Sequence, residues 1–116
     1  TALGALISAL AGMTGAVRTR EALANHLAFL QMDLSDAEFH RHAVAHGEAL
    51  RAEIGKLLEE AIRRGELEAR DVGGLTVAVQ AMYNGALVTW AIHGGGTVSQ
   101  AVRRALEVLL ARGGGQ

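Results

Sequence analysis

The chain has 116 residues and a mass of 12.1 kDa, half of its residues are hydrophobic and 20% are charged, a balance that excludes wholesale disorder and allows one domain with its own core. A formal net charge of −1 excludes holding DNA or anionic lipid by bulk electrostatics. The absence of cysteine excludes a disulfide scaffold, thiolate metal sites, iron–sulfur clusters and cysteine nucleophiles, and fits a reducing compartment.

There is also no proline, and 22 alanines and 16 leucines favour helix. The expected class is all-α, an antiparallel bundle of about five to six helices. Residues 1–17 carry no charge. They superficially resemble a signal-peptide core but lack its basic flank, and the spacing predicts a helix with Leu3, Leu6, Ile7, Leu10 and Met13 on one side. Thr19 is placed to cap a second helix running to about Asp33, with Leu23, Leu27, Leu30 and Leu34 as its apolar stripe. Ser35-Asp36-Ala37-Glu38 reads as a capping box opening a helix to Arg64, with Gly65 as the residue beyond its end. Gly47 and Gly55 are places where that helix can bend or break in two. Asp71 is expected to cap the next helix, which runs to about His93 and stops at Gly94-Gly95-Gly96. Thr97-Val98-Ser99-Gln100 is a second capping box, opening a last helix to about Arg112.

The helix faces say more than the ends. In the long third segment, Phe39, Ala43, His46, Leu50, Ile54, Leu57 and Ala61 form one core-facing stripe. The Asp71 helix has one stripe of Leu75, Val79, Met82, Ala86, Trp90 and His93, and a second of Val77, Ala81, Val88 and Ile92. Residues 72–102 contain no Asp, Glu, Lys or Arg, and Leu75–Ile92 has the length of a transmembrane span. Gln80, Asn84 and Gly85 in its middle favour instead a soluble helix buried on several sides. One face then meets the chain's own core and the other needs a second partner. The last helix adds Val98, Val102, Ala105 and Leu109, with Leu106 and Leu110 beside them. Two such antiparallel helices, doubled about a twofold axis, make a four-helix bundle. The expected dimer contacts are Val88, Trp90, Ile92, Val98, Val102, Ala105, Leu106 and Leu109.

Phosphate-loop, dinucleotide, HExxH and GxSxG signatures are absent, and no enzymatic activity and no cofactor are expected. Glu53, Glu59, Glu60, Glu66 and Glu68 read as solvated surface charge. His26, His40, His42 and His46 lie in the first half of the chain. His42 and His46 are i, i+4 partners, a spacing that holds a metal only with further ligands, and His26 is the available third. His46 falls on the apolar stripe with His42 beside it. They are either core histidines hydrogen-bonded to neighbours or polar groups lining an apolar cavity, where they orient a ligand. Gln80, Asn84 and Tyr83 have the same two readings, and His40 reads as solvated. The preferred reading contains no metal.

Three stretches carry a resemblance: Leu57-Leu-Glu-Glu-Ala-Ile-Arg-Arg-Gly-Glu-Leu67, then Asp71, and Ala81-Met-Tyr-Asn-Gly-Ala-Leu-Val-Thr-Trp-Ala91. In this order, with Leu30–Phe39 upstream and an amphipathic helix at Val98–Arg112, the chain resembles the C-terminal regulatory domain of the tetracycline-repressor (TetR) family of bacterial transcription regulators. The resemblance covers essentially the whole chain, residues 1–116. It implies an all-α fold, last helices that form a homodimeric four-helix bundle, and earlier helices around a small-molecule pocket. It also implies a preceding helix-turn-helix domain, absent from this chain, as the only part that touches DNA. An opening Thr1 and the lack of basic charge agree with that expectation. Ligand binding would shift the spacing of the DNA-reading heads, most simply in a repressor. Position within the pattern makes His26, Phe29, Leu30, Phe39, His42, His46, Met82 and Tyr83 the candidate pocket residues, for a small apolar or amphipathic effector. A cytoplasmic bacterial protein with no membrane partner is implied, and ten arginines to one lysine hint at a GC-rich genome. The alternatives are a helical dimerisation or scaffold module without a ligand, and a histidine-based metal sensor.

Overall fold

The computed structural model describes residues 1–68 and 70–111, with residues 29–34 described as helical backbone only. Five α-helices and no strand are found among the described residues: α1 (Ala2–Gly12), α2 (Arg20–Ser35), α3 (Ala37–Arg63), α4 (Val72–His93) and α5 (Val98–Leu109). A short 3-10 turn, Met13–Val17, follows α1. The protein is an all-α helical bundle.

Local chemistry sets most of the boundaries. The Gly4 amide donates to Thr1 Oγ1 at 2.8 Å and the Ala22 amide to Thr19 Oγ1 at 3.0 Å, so both hydroxyls satisfy first-turn donors. Between α2 and α3 the cap falls one residue later than the Ser35 box predicts. Asp36 is the N-cap, and its Oδ1 accepts from the amides of Glu38 (2.9 Å) and Phe39 (3.2 Å). Asp caps as well as Ser, and the shift lets α2 continue through Ser35. Helix α3 is continuous through Gly47 and Gly55. Both glycines face α4, where an added Cβ would stand 3.9 Å from Gln80 Nε2 and 3.6 Å from Thr76 Oγ1. At its end the Glu66 amide donates to Ala61 O and the Gly65 amide to Ile62 O, the Schellman pattern. Its turn needs φ +74° at Gly65, a conformation costly for any residue with a Cβ. Asp71 occupies the N-cap of α4, but its carboxylate accepts no capping hydrogen bond. The Thr97 box forms in both halves, Gln100 N to Thr97 Oγ1 at 3.1 Å and Thr97 N to Gln100 Oε1 at 2.9 Å. Helix α5 stops at Leu109, and Arg112 lies outside the described residues.

Helix α1 packs on α3 and α5, α2 on α3, α3 on α4, and α4 on α5. The interior is aliphatic: Leu6, Leu10, Leu23, Ile54, Leu58, Val79, Val98, Val102 and Leu106 are fully buried. Burial of such side chains contributes roughly 1.5–3 kcal/mol each. Among the described residues no buried polar side-chain atom is left without a partner.

Three predicted faces are corrected. Met13 is exposed, because the chain leaves the α-helical path there for the 3-10 turn. In α3, Ile54 and Ala61 are buried and Leu50 and Leu57 half-buried, but Phe39 and His46 lie outside. The helix is 27 residues long, about 40 Å, and extends past the aliphatic core at its N-terminal end. In α4 the core face is Leu75, Thr76, Val79, Tyr83, Ala86 and Leu87, with Met82 and His93 exposed. A 3.6-residue period continued from Val79 passes between positions 82 and 83, and the packing selects the later one.

One interaction joins distant segments. Glu66, predicted as solvated charge, accepts from the Leu3 amide (Oε1, 3.0 Å) and the Ala2 amide (Oε2, 3.2 Å), and so closes the N-terminus of α1. These amides, Leu3 first, hold its carboxyl below the usual glutamate range, and nearby Arg64 acts in the same direction. The depressed value makes the contribution complete above about pH 4.3, the ordinary glutamate value, and lost as pH falls through the lower folded value. Glu66→Gln is therefore expected to be less stable than the parent in urea at pH 7. The difference should close as pH is lowered below about 4, and a gap independent of pH would refute the assignment.

Candidate self-association surface

Helices α4 and α5 form an antiparallel hairpin whose turn is fixed by backbone and side chain together. Gly94, Gly95 and Gly96 all have positive φ (69°, 93° and 69°), which three side-chain-bearing residues would not adopt. The Trp90 indole Nε1 donates to Gly96 O at 3.1 Å. From the other side Arg20 Nε donates to Ala91 O at 2.9 Å, tying the start of α2 to the end of α4. On the α3 flank, Gln80 Nε2 donates to Gly47 O (3.3 Å) and Gln80 Oε1 accepts from Arg51 Nε (2.5 Å).

With one face in the core and these flanks braced, α4 presents an outer stripe that the described residues leave uncovered. Val77 is 46% exposed, Val88 41% and Ile92 64%, and Ala81, Asn84 and Gly85 between them are exposed too. Beside the stripe, α4 and α5 enclose an open groove of 830 Å³ floored by Ala78, Ala81, Gly85, Ala101 and Ala105 and edged by Met82, Trp90, His93, Arg104 and Leu109. Val108, 69% exposed, stands at its α5 rim. The small floor residues keep the groove wide, and no carboxylate lines it.

The predicted dimer contacts divide. Val88, Trp90, Ile92, Ala105 and Leu109 lie on or beside this surface, each at least partly exposed. Val98, Val102 and Leu106 are fully buried in the chain's own core, so they are corrected from contact residues to core residues. Helix α5 is amphipathic with a narrow apolar stripe, and α1 and α4 take that stripe into the core. Val108, Met82 and Gly85 belong to the surface and were not singled out as contacts by periodicity. The signal available for Gly85 was its place in an uncharged segment.

The predicted pocket residues do not converge. His26, Phe39, His42 and His46 are exposed. Met82 lines the α4–α5 groove, while its neighbour Tyr83 is buried in the core, where desolvation pushes its phenol pKa up. The side chains of Phe29 and Leu30 lie outside the described residues. A small hollow of 280 Å³ between α3 and α4 takes His40, Val44, Glu48, Arg51 and Gln80 rather than the paired histidines. No group of three or more metal-ligating side chains occurs among the described residues. Among them α4 is the one unbent helix long and apolar enough to cross a membrane, and a third of that stretch is buried within the fold.

Compared with known proteins, the chain matches no protein-family model, and neither a curated protein nor a solved structure is similar to it.

The Trp90 contact carries a prediction of its own. Trp90→Phe keeps most of the ring packing and removes the donor to Gly96 O. A loss of about 0.5–1.5 kcal/mol in unfolding free energy is expected, the net value of one hydrogen bond. A variant as stable as the parent would show that the glycine turn holds without the indole.

Proposed function

We propose that this chain is the dimerisation and effector-binding domain of a transcription regulator of the tetracycline-repressor type. In this reading α4 and α5 pack against their equivalents about a twofold axis, as a homodimeric four-helix bundle. DNA is read by a helix-turn-helix segment outside these residues, and a small apolar or amphipathic effector shifts the relative arrangement of the two protomers. The observation that carries the reading is the uncovered apolar stripe of α4, Val77, Ala81, Val88 and Ile92, on a segment without a charged residue. Such a face is costly in water, and a second copy removes it.

Dimerisation is tested by substituting the stripe. Val88→Asp and Ile92→Asp each put a carboxylate where the partner docks and leave the core untouched. The parent is expected at twice the chain mass by light scattering, and each variant at the chain mass with unchanged helical circular dichroism. A parent that stays monomeric at high concentration overturns the reading.

A self-associating helical module without a ligand is the second reading. It is favoured by the exposure of His26, Phe39, His42 and His46, which leaves them outside any shared cavity. Thermal unfolding of the dimer against a panel of fatty acids and aromatic amines separates the two. A ligand present at 100 times its Kd stabilises by about 2.7 kcal/mol, an upward shift of several degrees for a domain of this size. No shift across the panel favours the ligand-free module.

A further inference from the structure

The outer stripe of α4 is symmetric about its own middle. Val77 and Ile92, Ala81 and Val88, and Asn84 and Gly85 are each equidistant in sequence from the point between Asn84 and Gly85. All six positions are exposed. We infer that the second copy docks with its α4 antiparallel to this one, the twofold axis passing between Asn84 and Gly85. Ala81 then meets Val88 of the other copy, and Val77 meets its Ile92. The inference rests on the dimer reading above and specifies its geometry.

Three observations favour a second copy over any other occupant. First, an isologous contact brings each residue close to its own equivalent near the axis, so a charge there would repel itself. The stripe lies within 31 residues, 72–102, that contain no Asp, Glu, Lys or Arg. Second, the reversed order is complementary in size. A small Ala81 faces a β-branched Val88, and the larger Val77 and Ile92 meet at both ends where the helices diverge. At the centre, a Cβ added to Gly85 would have nothing within 4 Å, which leaves room for another backbone to approach. Third, the area is of the right order. Helix α4, with 22 residues, is about 33 Å long. Helix α5, with 12 residues, adds about 18 Å, and at about 10 Å of width per helix the two give a projected face on the order of 500 Å². The accessible surface of a face ridged by side chains exceeds its projection, towards the ~800 Å² per partner of a stable interface.

The protein's lack of cysteine makes the register directly testable. Ala81→Cys and Val88→Cys are prepared separately; both positions are exposed, so neither change disturbs the core. Each is oxidised alone, and the two are then mixed, allowed to exchange subunits and oxidised together. In the antiparallel register residues 81 and 88 of opposite copies approach within disulfide range, Cα to Cα of about 4.4–6.8 Å. Equivalent residues are displaced by seven positions, about 10 Å along the helix. The expected result is a disulfide-linked species of twice the chain mass, abundant in the mixture and at least tenfold weaker in either variant alone. Self-linking of either single variant would overturn the antiparallel register in favour of a parallel one. An uncross-linked mixture that light scattering still finds dimeric would place the interface elsewhere and overturn the inference while leaving the dimer reading intact. A parent that is monomeric removes both.

Discussion

Helix α4 has to satisfy two solvents at once. Its inner face, from Leu75 to Leu87, is part of the aliphatic core, and its outer face, from Val77 to Ile92, is nearly as apolar and faces water. No charged side chain on the helix can offset that exposure. Every element around it serves to hold the inner face in place: α3 through Gln80 and Thr76, α5 through the glycine hairpin, and α2 through Arg20 on the Ala91 carbonyl. The outer face is left over because a chain of this size cannot wrap a central helix completely.

Among the described residues, and apart from the mid-helix Gln80 bonds to Gly47 and Arg51, most polar contacts between side chain and backbone sit at helix ends, where unsatisfied backbone groups collect. Thr1, Thr19, Asp36 and Thr97 each accept first-turn amides, and Glu66 reaches from the end of α3 to the start of α1. The surface ion pairs are local to α3, Lys56 with Glu53 and both Arg63 and Arg64 with Glu60. They brace the helix that carries them rather than the packing between helices, as expected for exposed i, i+3 and i, i+4 pairs. Tertiary order therefore depends chiefly on side-chain packing of Leu, Ile and Val, and four aromatic residues in the whole chain add little to it.

Helix count and the approximate ends were legible because capping is local: Thr19, Gly65, the Gly94–Gly96 stop and the Thr97 box can each be read within a few residues. The cap at Asp36 was displaced by one position because two good capping residues stand side by side, and sequence alone does not rank them. Faces were less legible than ends. A period of 3.6 admits either Met82 or Tyr83 as the inward residue of α4, and only the positions of α3 and α5 decide between them. The stripe from Phe39 to Ala61 is regular throughout, yet regularity does not reveal where the partner helices stop. His46 belongs to that stripe by spacing and to the surface by position. Glu66 was illegible for a different reason: its acceptors' donors lie more than sixty residues away, and on its own helix end it looks like any exposed glutamate. The candidate self-association surface was half legible. Excess apolar surface on α4 is visible in composition, but Val98, Val102 and Leu106 are taken into the core by α1 and α4 through packing that periodicity cannot see.

In the dimer reading α4 is shared between a core and an interface, which has consequences for control. Any event that moves α4 relative to α3 changes both faces together, since the helix is one rigid body of 22 residues. The contacts that set this relation are the Gln80 bonds to Gly47 and Arg51 and the approach of Thr76 to Gly55. The Gln80 bonds are polar and partly exposed, whereas Thr76 is buried. In the regulator reading an effector acts only to the extent that it binds one α3–α4 arrangement better than another. Tight binding to the α4–α5 groove alone would compete with the second copy and dissociate the dimer rather than reorient it. In that reading an effector that preserves the dimer works from the α3 side of α4, where Thr76 and Gln80 are the polar side chains that face Gly55 and Gly47.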